Sequence, residues 1–291
     1  DVDMVSDGWT EIIRNLTGIV AKHASKRLGR RLTKAERAHL MELSDYKKMN
    51  QIRARAEEIV NDPETAEALK PWYRQFCKRP CFHDEYLQTY NRDNVSLVDT
   101  QGKGVERLTE KGVIVDGKEY EVDCLIFATG FEVATSYTRR AGYDIIGKQG
   151  KTLSSHWKNG LRTLHGLHSN GFPNCFFLGF TQGGQTVNAP HALDEQAKHL
   201  AYILDEVRAR NASTVEASAE AEQQYVDEIH RLASLGRRFY SECTPGYYNG
   251  EGTSGNEGGF FSNMYGGGPT RFFKLLERWR SEGVLRGLKV K

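Results

Sequence analysis

The chain has 291 residues, with 40 Lys and Arg against 38 Asp and Glu, and 38% of it is hydrophobic, enough for one large domain or two ordinary ones with a real core. The formal charge of +2 excludes the strong basic excess of a dedicated nucleic-acid binder, and the longest purely apolar run, Cys124 to Ala128, falls far short of the ~18 residues of a membrane-spanning helix. Five scattered cysteines, Cys77, Cys81, Cys124, Cys175 and Cys243, fit buried thiols in a reducing cytoplasm better than a disulfide framework.

Residues 1–70 read as helices, because Ile12, Ile13, Leu16, Ile19 and Val20, then Leu40, Met41 and Leu43, recur at helical spacing. Thr33 and Glu36 have the spacing of a capping box, and Asp62-Pro63 puts an N-cap before a proline. Lys22, Lys26, Arg27, Arg30, Arg31, Lys34 and Arg37 form a basic run. It is either a surface facing a phosphate-bearing ligand or a solvated helix face. From Trp72 the pattern turns to short strands. Val95–Val98 follows the turn-like Asn91–Asn94, and Val113–Val115 and Tyr120–Val122 flank Asp116-Gly117, the signature of a type I′ hairpin. Cys124–Ala128 and Cys175–Leu178 are continuous apolar runs, expected to be strands of a parallel sheet buried on both faces. A helix is expected from near Pro190, with Leu193, Ala197, Leu200, Ala201, Leu204 and Val207 on one face. Another is expected over 216–240, carrying Tyr225, Ile229, Leu232 and Phe239, and a last one carries Phe272, Phe273, Leu275, Leu276 and Trp279. The Gly- and aromatic-rich stretch 246–268 between the last two is either a lid or a flexible connection.

The sharpest local signal is Asp123–Gly130, an apolar strand ending in a small-residue turn, where an open α/β sheet places its ligands. Cys175–Leu178 repeats the arrangement, ending in Gly179 and leading through Gly183-Gly184 to Asn188-Ala189-Pro190. A helix N-terminus there suits a phosphate or an electron-rich ring edge. His165-x-x-His168 lacks a third metal ligand, so no metal site is assigned. Cys77 and Cys81 have the wrong spacing for a redox pair. His156 and Trp157 read as packing residues.

Asp123–Gly130 resembles the D-x-x-x-x-A-T-G signature of two-dinucleotide flavoprotein monooxygenases. With Phe131, Cys77-Lys78-Arg79-Pro80, His156-Trp157, Gly171–Asn174 and Cys243–Asn249 in the same order, the chain most resembles the Baeyer–Villiger monooxygenases. The resemblance implies an oxidoreductase that uses FAD and NADPH to insert one oxygen atom of O2 next to a ketone carbonyl, giving an ester or lactone. It implies Arg79 as the catalytic cation beside a flavin-borne oxygen anion, and Lys78 as the contact to the 2′-phosphate of NADPH. Thr129, Gly130, Asn188, Ala189 and Pro190 would bind FAD, and His191 and Tyr247 would line the substrate pocket. Phe76 stands where the family commonly has Gly, and Tyr247 where it often has an indole.

No G-x-G-x-x-G fingerprint is present, since Gly102-Lys103-Gly104 lacks the third glycine, and the start at Asp1 has neither Met nor a secretory leader. The resemblance therefore implies the C-terminal half of a cytoplasmic enzyme whose partner is its own N-terminal half, with no nucleic-acid or membrane partner. The expected fold is α/β, a partial two-dinucleotide-binding (Rossmann-like) flavoprotein fold with helical segments at both ends. Residues 1–70 would be the helical segment of an NADP-binding domain and 71–120 its end with a connecting hairpin. Residues 121–210 would close an FAD-binding domain, and 211–291 would form a helical, Gly-rich cap. Rival readings are a flavin monooxygenase that oxygenates nitrogen or sulfur, and a non-catalytic truncated FAD/NADP-binding module.

Overall fold

The computed structural model describes residues 7–16, 19–131, 137–179, 181–184, 186, 188–232, 239, 241–252 and 263–291. It forms two compact units, Asp1–Gly130 and Phe131–Lys291. Among the described residues, no helix is long and apolar enough to cross a membrane.

The first unit opens with α1 (Gly8–Leu16), α2 (Ile19–Leu28), α3 (Lys34–Ile59) and α4 (Pro63–Ala68), followed by the single turn α5 (Tyr86–Thr89). Both helix starts expected from short-range chemistry are present. The Thr33 side chain accepts from the Glu36 amide while Glu36 accepts from the Thr33 amide, and Asp62 caps α4 through the Thr65 amide. Ile12, Met49 and Ala56 are buried. Leu43 instead faces solvent. The side chains of Ile13, Leu16 and Ile19 lie outside the described set.

β1 (Arg107–Leu108), β2 (Gly112–Val115) and β3 (Lys118–Glu121) form an antiparallel meander in which Val115 pairs with Lys118. Asp116 and Gly117 have φ of 47° and 72°, the left-handed pair that a type I′ turn requires. Val95–Val98 is not a strand, and β1, too short and polar to show in the hydrophobic pattern, takes the edge of the sheet.

Neither expected parallel strand forms. Cys124–Ala128 has no ladder and is exposed throughout, with Ile126 at 82% and Phe127 at 72% exposure; Cys175–Leu178 also lies outside any strand. An apolar run becomes a strand only when neighbours take up its N–H and C=O groups. Among the described residues no backbone hydrogen bond reaches Cys124–Ala128, and Cys175–Leu178 takes one from a neighbouring segment, Phe177 N–H to the Leu167 carbonyl at 2.9 Å, too few for a ladder.

The second unit contains α6 (Tyr137–Ala141), α7 (Leu153–His156), α8 (Ala189–Ala209), β4 (Val215–Ala217), α9 (Ala219–Leu232), α10 (Pro269–Ser281) and β5 (Leu288–Val290). β4 and β5 pair antiparallel, Val215 with Val290. Glu216 thus belongs to a strand, and α9 begins three residues later than expected. The expected continuation to 240 runs outside the described residues at 233–238 and 240, as does the stretch 253–262 of the glycine-rich segment.

One core cluster joins Leu164, Ala217, Tyr225, Ile229, Tyr265, Phe272 and Leu276. A second joins Leu167, Ile203, Val207, Val215, Trp279 and Leu285. That second cluster decides which side of α8 is inside: Ala192, Gln196, His199, Ile203 and Val207 are buried, while Leu193, Ala197, Ala201 and Leu204 are exposed. Of the expected apolar face, Val207 is buried and Leu200 half-buried against this cluster, while the rest turns outward because the packing surface built by α10 and the β4–β5 pair meets the neighbouring stripe.

His165 and His168 sit in a buried turn closed by Leu164 and His168, with His165 and Gly166 at φ of 57° and 71°. His165 Nδ1 and His199 Nε2 are 3.3 Å apart. Burial pulls the imidazole pKa values down, to about 3 for His165, about 4 for His168 and about 2 for His199. All three lie below the ordinary value near 6.5, so the unfolded chain binds more protons beneath that pH. Stability is then complete above about pH 6.5 and falls on acidification towards pH 4 by up to about 1.4 kcal/mol per pH unit for each imidazole. The urea midpoint of the chain, followed by Trp fluorescence, should drop steadily from pH 7 to pH 5. A flat profile would contradict this account.

Candidate active-site elements

On the first unit the Lys78–Arg79 pair leaves a tight turn fixed from α3. Asp45, 3% exposed, accepts the Gln75 amide at 2.8 Å and Arg74 Nε at 3.2 Å. Its pKa is raised by burial, which outweighs these two partners. The Cys77 amide closes the turn onto the Arg74 carbonyl at 3.1 Å. Phe76 has φ of 60°, a conformation that glycine enters freely and a side chain enters at a cost of about 1–2 kcal/mol. Its ring lies 6.3 Å from Trp9, which also meets Phe82 at 5.4 Å.

Past this turn Lys78 is half-buried and Arg79 exposed, its guanidinium carbon 5.6 Å from the Trp9 ring centroid. Such cation–π contact orients the planar fork while leaving its charge undiminished. Thr129 and Gly130, on the same unit, are exposed; Gly130 has φ of 87° and open space where a Cβ would be.

On the second unit, the start of α8 is as the sequence implies. Asn188 accepts the His191 amide at 3.2 Å, Ala189 is the first helical residue and Pro190 the second. Pro190 has no N–H and the Asn188, His191 and Ala192 amides already donate to Thr186 and Asn188, so the Ala189 amide and the partial positive charge of a 21-residue helix are what this start offers an anionic or electron-rich group. The loop before it packs tightly: a Cβ on Gly184 would stand 2.7 Å from Phe272. The exposed His191 ring meets Phe273 edge-on at 5.2 Å. Both border a cavity of about 590 Å³ whose other walls include Glu195, Lys198, Lys274 and Arg280.

His191, Asp194 and Glu195 form a cluster of metal-ligand type, but Lys198 pairs with Asp194 at 2.7 Å and with Glu195 at 2.9 Å. Tyr247 lies elsewhere on this unit, half-buried at the start of the 3-10 segment Tyr247–Gly252, its ring 4.3 Å from Tyr248. It does not border the His191 cavity. The sequence-derived site residues therefore fall into Lys78, Arg79, Thr129 and Gly130 on one unit and Asn188, Ala189, Pro190, His191 and Tyr247 on the other. Sequence reasoning missed Asp45 and Phe273. Asp45 is an acid in a polar stretch of α3 whose partners lie about 30 residues away, and no local pattern marks it.

The donors present fit the two dinucleotides in kind. The half-buried Lys78 and the exposed Arg79 suit phosphate, and a helix start with a glycine-edged loop suits close backbone approach to a flavin.

No protein-family model matches the chain. It is 50% identical over 293 residues to neopentalenolactone D synthase of Streptomyces avermitilis, covering 100% of this chain and 48% of that protein. It is 41% identical over 288 residues to a Baeyer–Villiger monooxygenase of Stachybotrys chlorohalonatus, covering 99% and 45% respectively. Among solved structures, the polycyclic ketone monooxygenase of Thermothelomyces thermophila matches with a TM-score of 0.80 and 38% identity, over 88% of this chain and 42% of that one. That likeness places the described helices and sheets within the α/β class. The chain belongs to the Baeyer–Villiger monooxygenase family and spans about half the length of the curated relatives it matches.

Proposed function

We propose that this chain supplies the catalytic cation and part of both cofactor sites of an FAD- and NADPH-dependent monooxygenase that inserts oxygen beside a ketone carbonyl. One observation carries the reading: an exposed arginine, Arg79, at the end of a turn pinned by a buried carboxylate, in a chain of this family. FAD and NADPH, when bound, supply the electrons that activate O2. Arg79 holds a permanent positive charge where negative charge develops on oxygen, and because a guanidinium does not titrate in proteins, it donates hydrogen bonds without giving up its proton. Lys78 meets the coenzyme phosphate as a point charge. Thr129, Gly130 and the Asn188–Pro190 helix start bind the flavin side, and His191 and Tyr247 shape the ketone pocket.

The partner in this reading is the other half of the same enzyme, carrying both glycine fingerprints. The exposed Leu125, Ile126 and Phe127, and the outward stripe of Leu193 and Leu204 on α8, are the surfaces it would cover. Within it, residues 1–70 and 71–120 belong to the NADP-binding domain, 121–210 to the FAD-binding domain and 211–291 to a cap, and the assembled enzyme works in the cytoplasm.

The test is product analysis of an enzyme joining this chain to a relative's remaining half, offered a cyclic ketone and a tertiary amine with NADPH and O2. A lactone is expected. Amine oxide without lactone would replace this reading with heteroatom oxygenation.

A further inference from the structure

The basic run of α2 and α3 is not spread evenly over a solvated face. Residues 21–41 hold seven Lys and Arg against one carboxylate, Glu36. Lys22, Lys26, Arg30, Arg31 and Arg37 converge on one cavity of about 710 Å³ between the two helices. Glu36 does not neutralise it: its carboxylate takes the Arg30 fork at 2.6 and 3.0 Å and the Thr33 amide at 2.8 Å. This holds Arg30 as a fixed wall. Among the described residues no carboxylate pairs with Lys22, Lys26, Arg31 or Arg37.

The floor is apolar, with Ala21 and Leu32 buried and Met41 half-buried. A cleft lined by one sign of charge over low-dielectric walls focuses the field and concentrates counter-ions. Lys22 and Lys26 lie one helical turn apart, a spacing at which like charges repel, so an anion seated between them relieves a strain that solvent screens only in part.

We propose that this cavity binds a small molecule bearing two or more phosphoryl groups. Phosphoryl oxygens match both the planar fork of arginine and the point charge of lysine. Four uncompensated cations exceed what one phosphate neutralises, and the volume is that of an ordinary small-molecule site. Neither Lys78 nor Arg79 lines the cavity, and the proposal stands whether or not the oxygenation reading holds.

The test is calorimetric titration of the whole chain with inorganic triphosphate. Saturable one-to-one binding is expected, weakened about tenfold or more by K22E/R37E and less than about twofold by R27E/K34E. All four residues are exposed, so both variants fold, as circular dichroism would verify. The control pair removes the same charge from the same run but lies outside the cavity. NADP+ in place of triphosphate separates the two sources of phosphate: sensitivity to K22E/R37E with both probes assigns coenzyme phosphates, and with triphosphate alone a free polyphosphate. Equal losses in both double variants, no saturation, or tighter binding of a single-stranded oligonucleotide than of triphosphate would overturn the proposal.

Discussion

Replacing Arg79 with alanine should abolish ester formation in the assembled enzyme while NADPH still reduces the flavin. Removing one preorganised donor from a developing oxygen anion costs about 10²–10³ in turnover, and here the lost donor also carries the full charge. Arg79→Lys should restore little, since an ammonium lacks the planar fork and titrates when desolvated. Rapid-mixing absorbance of flavin reduction, read beside gas chromatography of the product, separates the two half-reactions. Arg79 is exposed and lies over the Trp9 ring, and circular dichroism of the variant checks that the fold is kept. Ester formation surviving at a tenth or more of the original rate would remove Arg79 from the catalytic role.

The second large effect is on stability. Glu222 of α9 is 1% exposed and accepts from His156 Nε2 at 3.0 Å, Arg162 Nε at 3.3 Å, the Ser169 hydroxyl at 3.1 Å and the Asn170 amide at 2.7 Å. Burial pushes its pKa up, yet the hydrogen bonds from His156 and Asn170 and the charges of His156 and Arg162 together bring it below the ordinary value. Glu222→Ala removes the common acceptor of four donors from three separate segments and leaves the Arg162 charge unpaired. Breaking a buried pair in this way costs about 3–5 kcal/mol. Urea unfolding should show it, and Glu222→Gln, which keeps the volume, should cost less. A loss under about 1 kcal/mol for the alanine variant would mean that solvent already satisfies these donors.

The same carboxylate explains the His156-Trp157 motif. His156 anchors to Glu222, and the Trp157 indole donates to the Arg162 carbonyl at 2.9 Å and the Ser169 hydroxyl at 3.1 Å, so the pair braces the second unit.

What the amino-acid order determined by itself is whatever closes within one turn of chain. The Thr33–Glu36 box, the Asp62 cap and the Asp116-Gly117 corner each join groups at most three residues apart, and each stands as expected. Lys78-Arg79 and Asn188–His191 are contiguous as well, so the sequence alone can propose them as site residues. Hydrophobic pattern alone went wrong wherever a partner was needed. Cys124–Ala128 has the composition of a buried strand but finds no neighbour to hydrogen-bond within the described chain, and it lies open to solvent. On α8 the apolar pattern marked the stripe of Leu193, Ala197 and Leu204, and the placement of Trp279 and Leu285 selected instead the one that carries Gln196 and His199. The partners of Asp45 and Glu222 lie 29 to 66 residues away. Contacts at that separation are made by packing, which couples residues by distance in space and leaves no local periodicity to read.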